Sequence, residues 1–143
     1  MNKPPRLVTL GILEREGKCL MQLRDDLPHI LYPGCWGLFG GHLEAGETPK
    51  IGFKREILEE IGYNVVDCQE VRCYADEKAI RHIFYAKLTV PLGELTQTEG
   101  WDMALVDLAT VESGYCYSAK AEQVRPLGDI HQRILLDFFL DGL

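Results

Sequence analysis

Between residues 40 and 62 the chain reads GGHLEAGETPKIGFKREILEEIG. Glu56, Glu59 and Glu60 stand three and four residues apart, so on a helix their side chains share one face. Their carboxylates should then converge within a few ångströms, and each exposed like-charge pair costs about a few tenths of a kcal/mol. Two arrangements relieve that repulsion. One is a solvated acidic face, tempered by Lys54 and Arg55. The other is a divalent cation: Mg²⁺ and Mn²⁺ are hard ions that prefer carboxylate and carbonyl oxygens. The residues upstream favour the cation. Gly40 and Gly41 allow the backbone to approach a ligand and expose its carbonyl groups. Glu47, eight residues before Arg55, can reach back to that guanidinium and fix its neighbours without leaving the site net positive.

These groups need elements to hold them. Thr48 is an N-cap residue and Pro49 suits the first helical position, where its missing N–H would have no intrahelical partner. Ile51, Ile57, Leu58 and Ile61 recur at helical intervals and Gly62 is placed as a C-cap. The spacing predicts a helix over about 49–61, with Gly52 a weak point inside it. Upstream, the apolar runs 6–14 and 18–24 flank the turn signal Glu16-Gly17 and read as a strand hairpin. Residues 25–35 read as a loop, and Trp36 to Phe39 lead into the paired glycines. Downstream, 63–74 and 79–90 read as an antiparallel pair. A loop over 91–100 carries Glu94 and Glu99. A short strand at 103–108 follows, then an irregular or partly helical stretch over 109–125. Residues 129–140 place Ile130, Ile134, Leu135, Phe138 and Phe139 at helical spacing, an amphipathic helix. The whole reads as a mixed α/β domain with helices packed on a sheet.

The bulk properties narrow the function. The 143 residues, 46% hydrophobic and 26% charged, suit one soluble domain spanning 1–143. The formal net charge of -7, with no long basic block, argues against binding to a nucleic-acid duplex. An acidic protein can still act on anionic substrates if a divalent cation stands between them. Cys19, Cys35, Cys68, Cys73 and Cys116 form no C-x-x-C pair, so they read as free thiols in a reducing cytoplasm. The N-terminal stretch lacks the apolar run of a signal peptide, and no segment approaches the length of a membrane span. A cytoplasmic protein without membrane attachment is expected.

The spacing Gly41-x5-Glu47-x7-Arg55-Glu56-Ile57-x-Glu59-Glu60-x-Gly62-Tyr63 resembles the Nudix box, G-x5-E-x7-R-E-U-x-E-E-x-G-U, where U is a bulky aliphatic residue. Every fixed Gly, Glu and Arg is present. Tyr63 departs at the last apolar position, and Phe39 stands where a proline often precedes the glycines. The resemblance spans nearly the whole domain and implies a Nudix-type α-β-α sandwich, a mixed sheet with helices on both sides. It implies a hydrolase that cleaves the phosphoanhydride bond of a nucleoside diphosphate linked to another moiety, by water attack on phosphorus. Mg²⁺ or Mn²⁺ would be the cofactor, neutralising the diphosphate and lowering the pKa of a bound water. By the same resemblance Glu56, Glu59, Glu60 and the Gly40 carbonyl are the metal ligands, and Glu47 and Arg55 the pair that orients them. The general base is a box glutamate or one from a later loop, with Glu99 and Glu94 as candidates. The alternative is a Nudix-fold module that binds or senses a nucleotide or metabolite without turnover. Loss of a box glutamate would favour it, and none is lost.

Substrate contacts lie outside the box. Arg24 could meet a phosphate, or be an exposed strand-end arginine. His42 lies beside the glycines and could face the pocket or solvent. Tyr32 and Trp101, in loops, could stack on a base or sugar, while Trp36 reads as core. His82 and His131 carry no assigned role. The region after the box, Lys78-Ala-Ile-Arg81, lacks the proline associated with ADP-ribose hydrolases and the tyrosine associated with dinucleoside polyphosphate hydrolases. The upstream loop lacks the coenzyme A signature. Sugar nucleotides and modified nucleoside triphosphates remain open as the small-molecule substrate. Many members of the family dimerise, so a homodimer is compatible with the resemblance, although no stripe marks an interface.

Overall fold

The computed structural model describes residues 3–30 and 32–143; Leu31, within the loop expected over 25–35, lies outside the described residues. Strand β1 (Arg6–Arg15) and β2 (Lys18–Leu23) meet through Glu16 and Gly17, both at positive φ (53° and 79°). That conformation matches the twist of a two-residue hairpin turn. The hairpin holds for only two rungs, Arg15 opposite Lys18 and Glu14 opposite Cys19. Beyond them the strands part. β1 pairs antiparallel with β4 (Phe39–His42) and parallel with β6 (Ala79–Lys87). β2 pairs antiparallel with β3 (Trp36–Gly37) and β7 (Asp102–Val106). With β5 (Gln69–Ala75) at the edge beside β6, these form a mixed seven-stranded sheet.

Side chains alternate across this sheet, so both faces need cover. On one face Leu13, Leu20, Phe39, Phe84 and Ala86 pack against Phe53, Ile57 and Ile61 of helix α1 (Pro49–Ile61). On the other, Leu10, Ile12, Met21, Trp36 and Ile83 pack against Val111 of α2 (Leu108–Ser113) and Ile134 and Leu135 of α3 (Asp129–Asp141). The result is the expected three-layer sandwich.

Helix α1 has the expected limits. Thr48 Oγ1 accepts from the Ile51 N–H (3.3 Å), and Gly62 closes the helix in the left-handed region at φ 68°. Gly52 is a packing requirement rather than a weak point. A Cβ there would overlap the Leu43 side chain and lie 2.9 Å from Glu47 Oε1.

The strand read over 79–90 ends at Lys87, and three further expectations need correction. The strand read from residue 63 begins only at Gln69, because 63–68 carries the chain from the end of α1 to the sheet edge with no partner strand. Tyr63, the odd residue of the box, donates its hydroxyl to the Lys87 carbonyl (2.9 Å) and so ties this crossing down. The strand at 103–108 stops at Val106, because Asp107 caps α2 by accepting from the Thr110 N–H (2.9 Å). The stretch over 109–125 is more ordered than expected: α2 leads into a hairpin of β8 (Tyr115–Ser118) and β9 (Gln123–Pro126). Ser118 Oγ anchors that hairpin by donating to Asp102 Oδ2 (2.7 Å). Among the described residues no helix is long and apolar enough to cross a membrane.

Candidate active site

The glycine strand β4 lies against α1 at Glu56 and Glu60, in the middle and last turn of the helix, and the glycines make that approach workable. Gly40 has φ 150°, and a Cβ on it would overlap the carbonyl of Thr9 on the neighbouring strand. At Gly41 a Cβ would lie 2.6 Å from the carboxyl carbon of Glu56. Both positions therefore need the missing side chain, one for backbone conformation and one for room. The Gly40 N–H donates to Glu60 Oε2 (3.1 Å), joining strand to helix.

Arg55 organises the carboxylates. Its Nε donates to Glu47 Oε2 (2.7 Å) and Nη2 to Glu47 Oε1 (3.0 Å), a bidentate pair of the strong, geometry-fixing kind. Nη2 also reaches the His42 carbonyl (3.2 Å). Nη1 meets Glu56 Oε1 (3.0 Å) and Glu59 Oε2 (3.2 Å). Glu47 completes the brace by accepting from the Glu44 N–H (2.9 Å). The Arg55 guanidinium beside it, with that N–H, holds the Glu47 carboxyl down at about 2.

The expected convergence of three carboxylates is not what these contacts produce. Glu56 and Glu59 both turn to Arg55 Nη1, whereas Glu60 turns to the Gly40 N–H, so the three carboxylates do not close on one point. Among the described residues no three Asp, Glu, His or Cys side chains form a ready cage. The donors nevertheless fit a hard divalent cation. They are all oxygens, which suit Mg²⁺ or Mn²⁺. The site is also short of positive charge at its inner end. Burial first, then the charge of Glu56 and more weakly Glu99, push Glu60 up to about 8, against the Gly40 N–H and Arg24 that favour its ionised form.

Around this acidic end opens a cleft of about 1530 Å³. Gly40, Gly41, His42, Glu56, Glu59, Glu60 and Glu99 line it, and so do Arg24 and Tyr32. Arg24 makes no ion pair among the described residues, and its buried Nε has no hydrogen-bond partner there. Two expected residues lie apart. Glu94 sits in a single 3-10 turn, Leu92–Glu94, outside the cleft lining, whereas Glu99 is in it. Trp101 borders a separate shallow pocket of about 280 Å³ with Asp25, Asp26 and Leu27.

Among the cleft residues that sequence reasoning gave no role are Gln22, Arg81 and His131. His131 is 7% exposed, and its Nδ1 accepts from the Leu38 N–H (3.0 Å), which fixes the neutral ring with its proton on Nε2. Burial, with the charges of Arg24 and Arg81 adding, pulls it down to about 4. Tyr32, itself at φ 55°, sets its ring edge-on to His131 at 5.6 Å. The helical stripe of His131 with Ile134, Leu135 and Phe138 could have revealed the histidine as inward-facing. Alternation with Ile83 along β6 could likewise have placed Arg81.

A family model described as the NUDIX domain matches residues 3–132. An 8-oxo-dGTP diphosphatase of Proteus vulgaris is 38% identical over 103 residues, covering 70% of this chain and 90% of that protein. An ADP-ribose pyrophosphatase of Methanocaldococcus jannaschii is 40% identical over 58 residues, 41% of this chain; the match spans only 32% of that relative's length. Among solved structures, the MutT protein of Methanosarcina mazei Go1 superposes with a TM-score of 0.72 at 19% identity, covering 99% of this chain and 97% of that one. The braced carboxylates thus sit in a fold shared over nearly the whole chain with the Methanosarcina mazei protein, and the chain belongs to the Nudix family.

Proposed function

We propose that this protein is a divalent-cation-dependent hydrolase that cleaves the phosphoanhydride bond of a nucleoside diphosphate linked to another moiety, by attack of water on phosphorus. The observation that carries the reading is Glu60: a carboxyl held against the glycine strand by the Gly40 N–H, beside Glu56, with too little positive charge around it. The Gly40 carbonyl and Glu56, Glu59 and Glu60 would hold Mg²⁺ or Mn²⁺. A cation bound there would neutralise the diphosphate and lower the pKa of a water it carried.

The chain's own residues supply the rest. Glu47 pins two nitrogens of Arg55, Nε and Nη2, and the third, Nη1, meets Glu56 and Glu59. Glu47 and Arg55 are therefore positioning residues. Glu99 is the better general base of the two loop candidates, since it lines the cleft and lies close enough to Glu60 for its charge to act there. Arg24, with its unpartnered Nε, receives a phosphate oxygen, while Tyr32 and His42 border the space left for the nucleoside. The five unbridged cysteines suit a reducing cytoplasm.

The relatives' names differ in substrate, 8-oxo-dGTP against ADP-ribose, so both belong in the test. A library of nucleoside triphosphates, sugar nucleotides and these two compounds is incubated with Mg²⁺ or Mn²⁺, and products are read by chromatography. At least one compound should turn over, and Glu60→Gln should lower kcat/KM by about a hundredfold or more. Binding without product would make the protein a nucleotide-binding module instead. Full activity in Glu60→Gln would remove the cation platform from the mechanism.

A further inference from the structure

The cleft is charged differently at its two ends. Opposite the carboxylates, its wall is built where β1 begins and where the turn between β5 and β6 closes. Arg6 lies opposite Ala79, and its N–H donates to the Lys78 carbonyl (3.0 Å), so the two segments are locked side by side. Lys3, Arg6, Lys78 and Arg81 all line the cleft there, and the acids beside them are Asp76 and Glu77. Lys3, Arg6 and Lys78 make no ion pair among the described residues. In a chain of net charge -7, four cations gathered on one wall are not the background.

Arg81 is the built part of this wall. Asp76 Oδ1 accepts from the N–H groups of Lys78 (2.8 Å) and Ala79 (2.9 Å), which makes the carboxylate part of the turn itself. Its other oxygen accepts from Arg81 Nη1 (3.0 Å). The Arg81 side chain is only 13% exposed, so one edge of the guanidinium is fixed and the remaining donors are left for the cleft. Its position is set by register. Val8 lies opposite Arg81 on one side and His42 on the other, so two strand spacings put Arg81 roughly 10 Å from the glycine strand. That is about the breadth of a sugar ring with its linkages, and a phosphoanhydride at the other end would have Arg24 and a cation held by the glutamates as its own partners.

We propose, resting on the nucleotide-cleft reading above, that this wall is a second anion subsite. In it Arg81, held by Asp76 and backed by Arg6 and Lys78, receives a phosphate or carboxylate that the substrate carries in addition to its phosphoanhydride. The substrate class is then a nucleoside diphosphate derivative with a further acidic group about one sugar away. Arg81 selects it, and Asp76 is a positioning residue.

Two pairs of compounds differing by one acidic group test this: ADP-ribose against its 2′-phosphate, and UDP-glucose against UDP-glucuronate. Binding is measured by calorimetry in EDTA at low salt, which keeps it separate from turnover. The more acidic member of at least one pair should bind about tenfold tighter, the size of one charge-assisted hydrogen-bond set. A gap in the first pair alone marks the subsite as a phosphate site, and a gap in the second alone as a carboxylate site. Arg81→Gln should close the gap, Arg81→Lys should restore part of it, and rising salt should shrink it. Should Arg81→Gln fail to fold, the double variant Arg6→Ala/Lys78→Ala, at two exposed positions, should narrow the gap on its own. Equal affinity within both pairs, no measurable binding of either acidic compound, or a gap that survives these substitutions overturns the subsite. Absence of turnover for every nucleotide with Mg²⁺ would sink the hydrolase reading while leaving the binding gap to judge this one.

Discussion

Glu60 shows how a single residue can be held in an unfavourable state for its function. Burial and the neighbouring Glu56 raise its carboxyl from 4.5 to about 8. The folded chain therefore prefers Glu60 neutral, and the stability this gives is fully present below about 4.5 and lost as pH rises through about 8. At pH 7.5 in EDTA, Glu60→Gln keeps an acceptor for the Gly40 N–H and removes the ionisation. It should melt roughly 5 °C or more above the parent while losing turnover. Excess Mg²⁺ should then raise the parent's midpoint more than the variant's. A variant that melts below the parent in EDTA would mean that Glu60 is not electrostatically strained. At this scale the sequence was informative about identity and less so about direction. The spacing of Glu56, Glu59 and Glu60 put them on one face, and the reach of Glu47 to Arg55 is as expected. Spacing could not reveal that Arg55 takes two carboxylates and the glycine strand the third, because those contacts depend on where β4 crosses the helix.

Elements carry the site through their ends. α1 was legible because its caps are local: Thr48, Pro49 and Gly62 act on backbone groups within a few residues. The β3–β4 segment was not, because its support comes from the far end of the chain. His131 of α3 accepts the Leu38 N–H, between the two short strands that lead into Gly40 and Gly41. Similarly Asp107 read as strand because its capping role depends on a turn rather than on a periodic pattern. The His131 support is sensitive to acid. At neutral pH the ring is uncharged in both the folded and unfolded chain. As pH falls from 6.5 toward about 4 the unfolded chain takes up a proton that the folded one resists, so stability falls, by up to about 3 kcal/mol. Urea unfolding at pH 7.5 and pH 4.5 should show the parent losing stability relative to His131→Gln, whose amide oxygen can still accept from Leu38, since the opposite effect of Glu60 is common to both proteins. Equal losses in the two proteins would place the acid sensitivity elsewhere.

At the scale of the whole molecule, β1 is the strand on which both layers depend. Ile12 and Leu13 are adjacent and both fully buried, yet they face opposite cores, Ile12 toward α2 and α3 and Leu13 toward α1. Each replaced by Ala should cost about 2–5 kcal/mol, the range for large-to-small changes in a packed interior. What the three-layer arrangement adds is that neither core can loosen alone, because β1 also supplies the pairing for β4 and β6. Both tryptophans, Trp36 in the core and Trp101 against it, report the α3 side. Tryptophan fluorescence should therefore follow Leu13→Ala, on the far face, as fully as Ile12→Ala, with far-UV circular dichroism giving the same midpoint in urea. If the fluorescence transition stays at its parental midpoint in Leu13→Ala while the dichroism shifts, the two faces unfold separately. The cleft would then be bordered by two independent units, and the coupling of α1's carboxylates to the α3-supported glycine strand would need another origin than the shared strand.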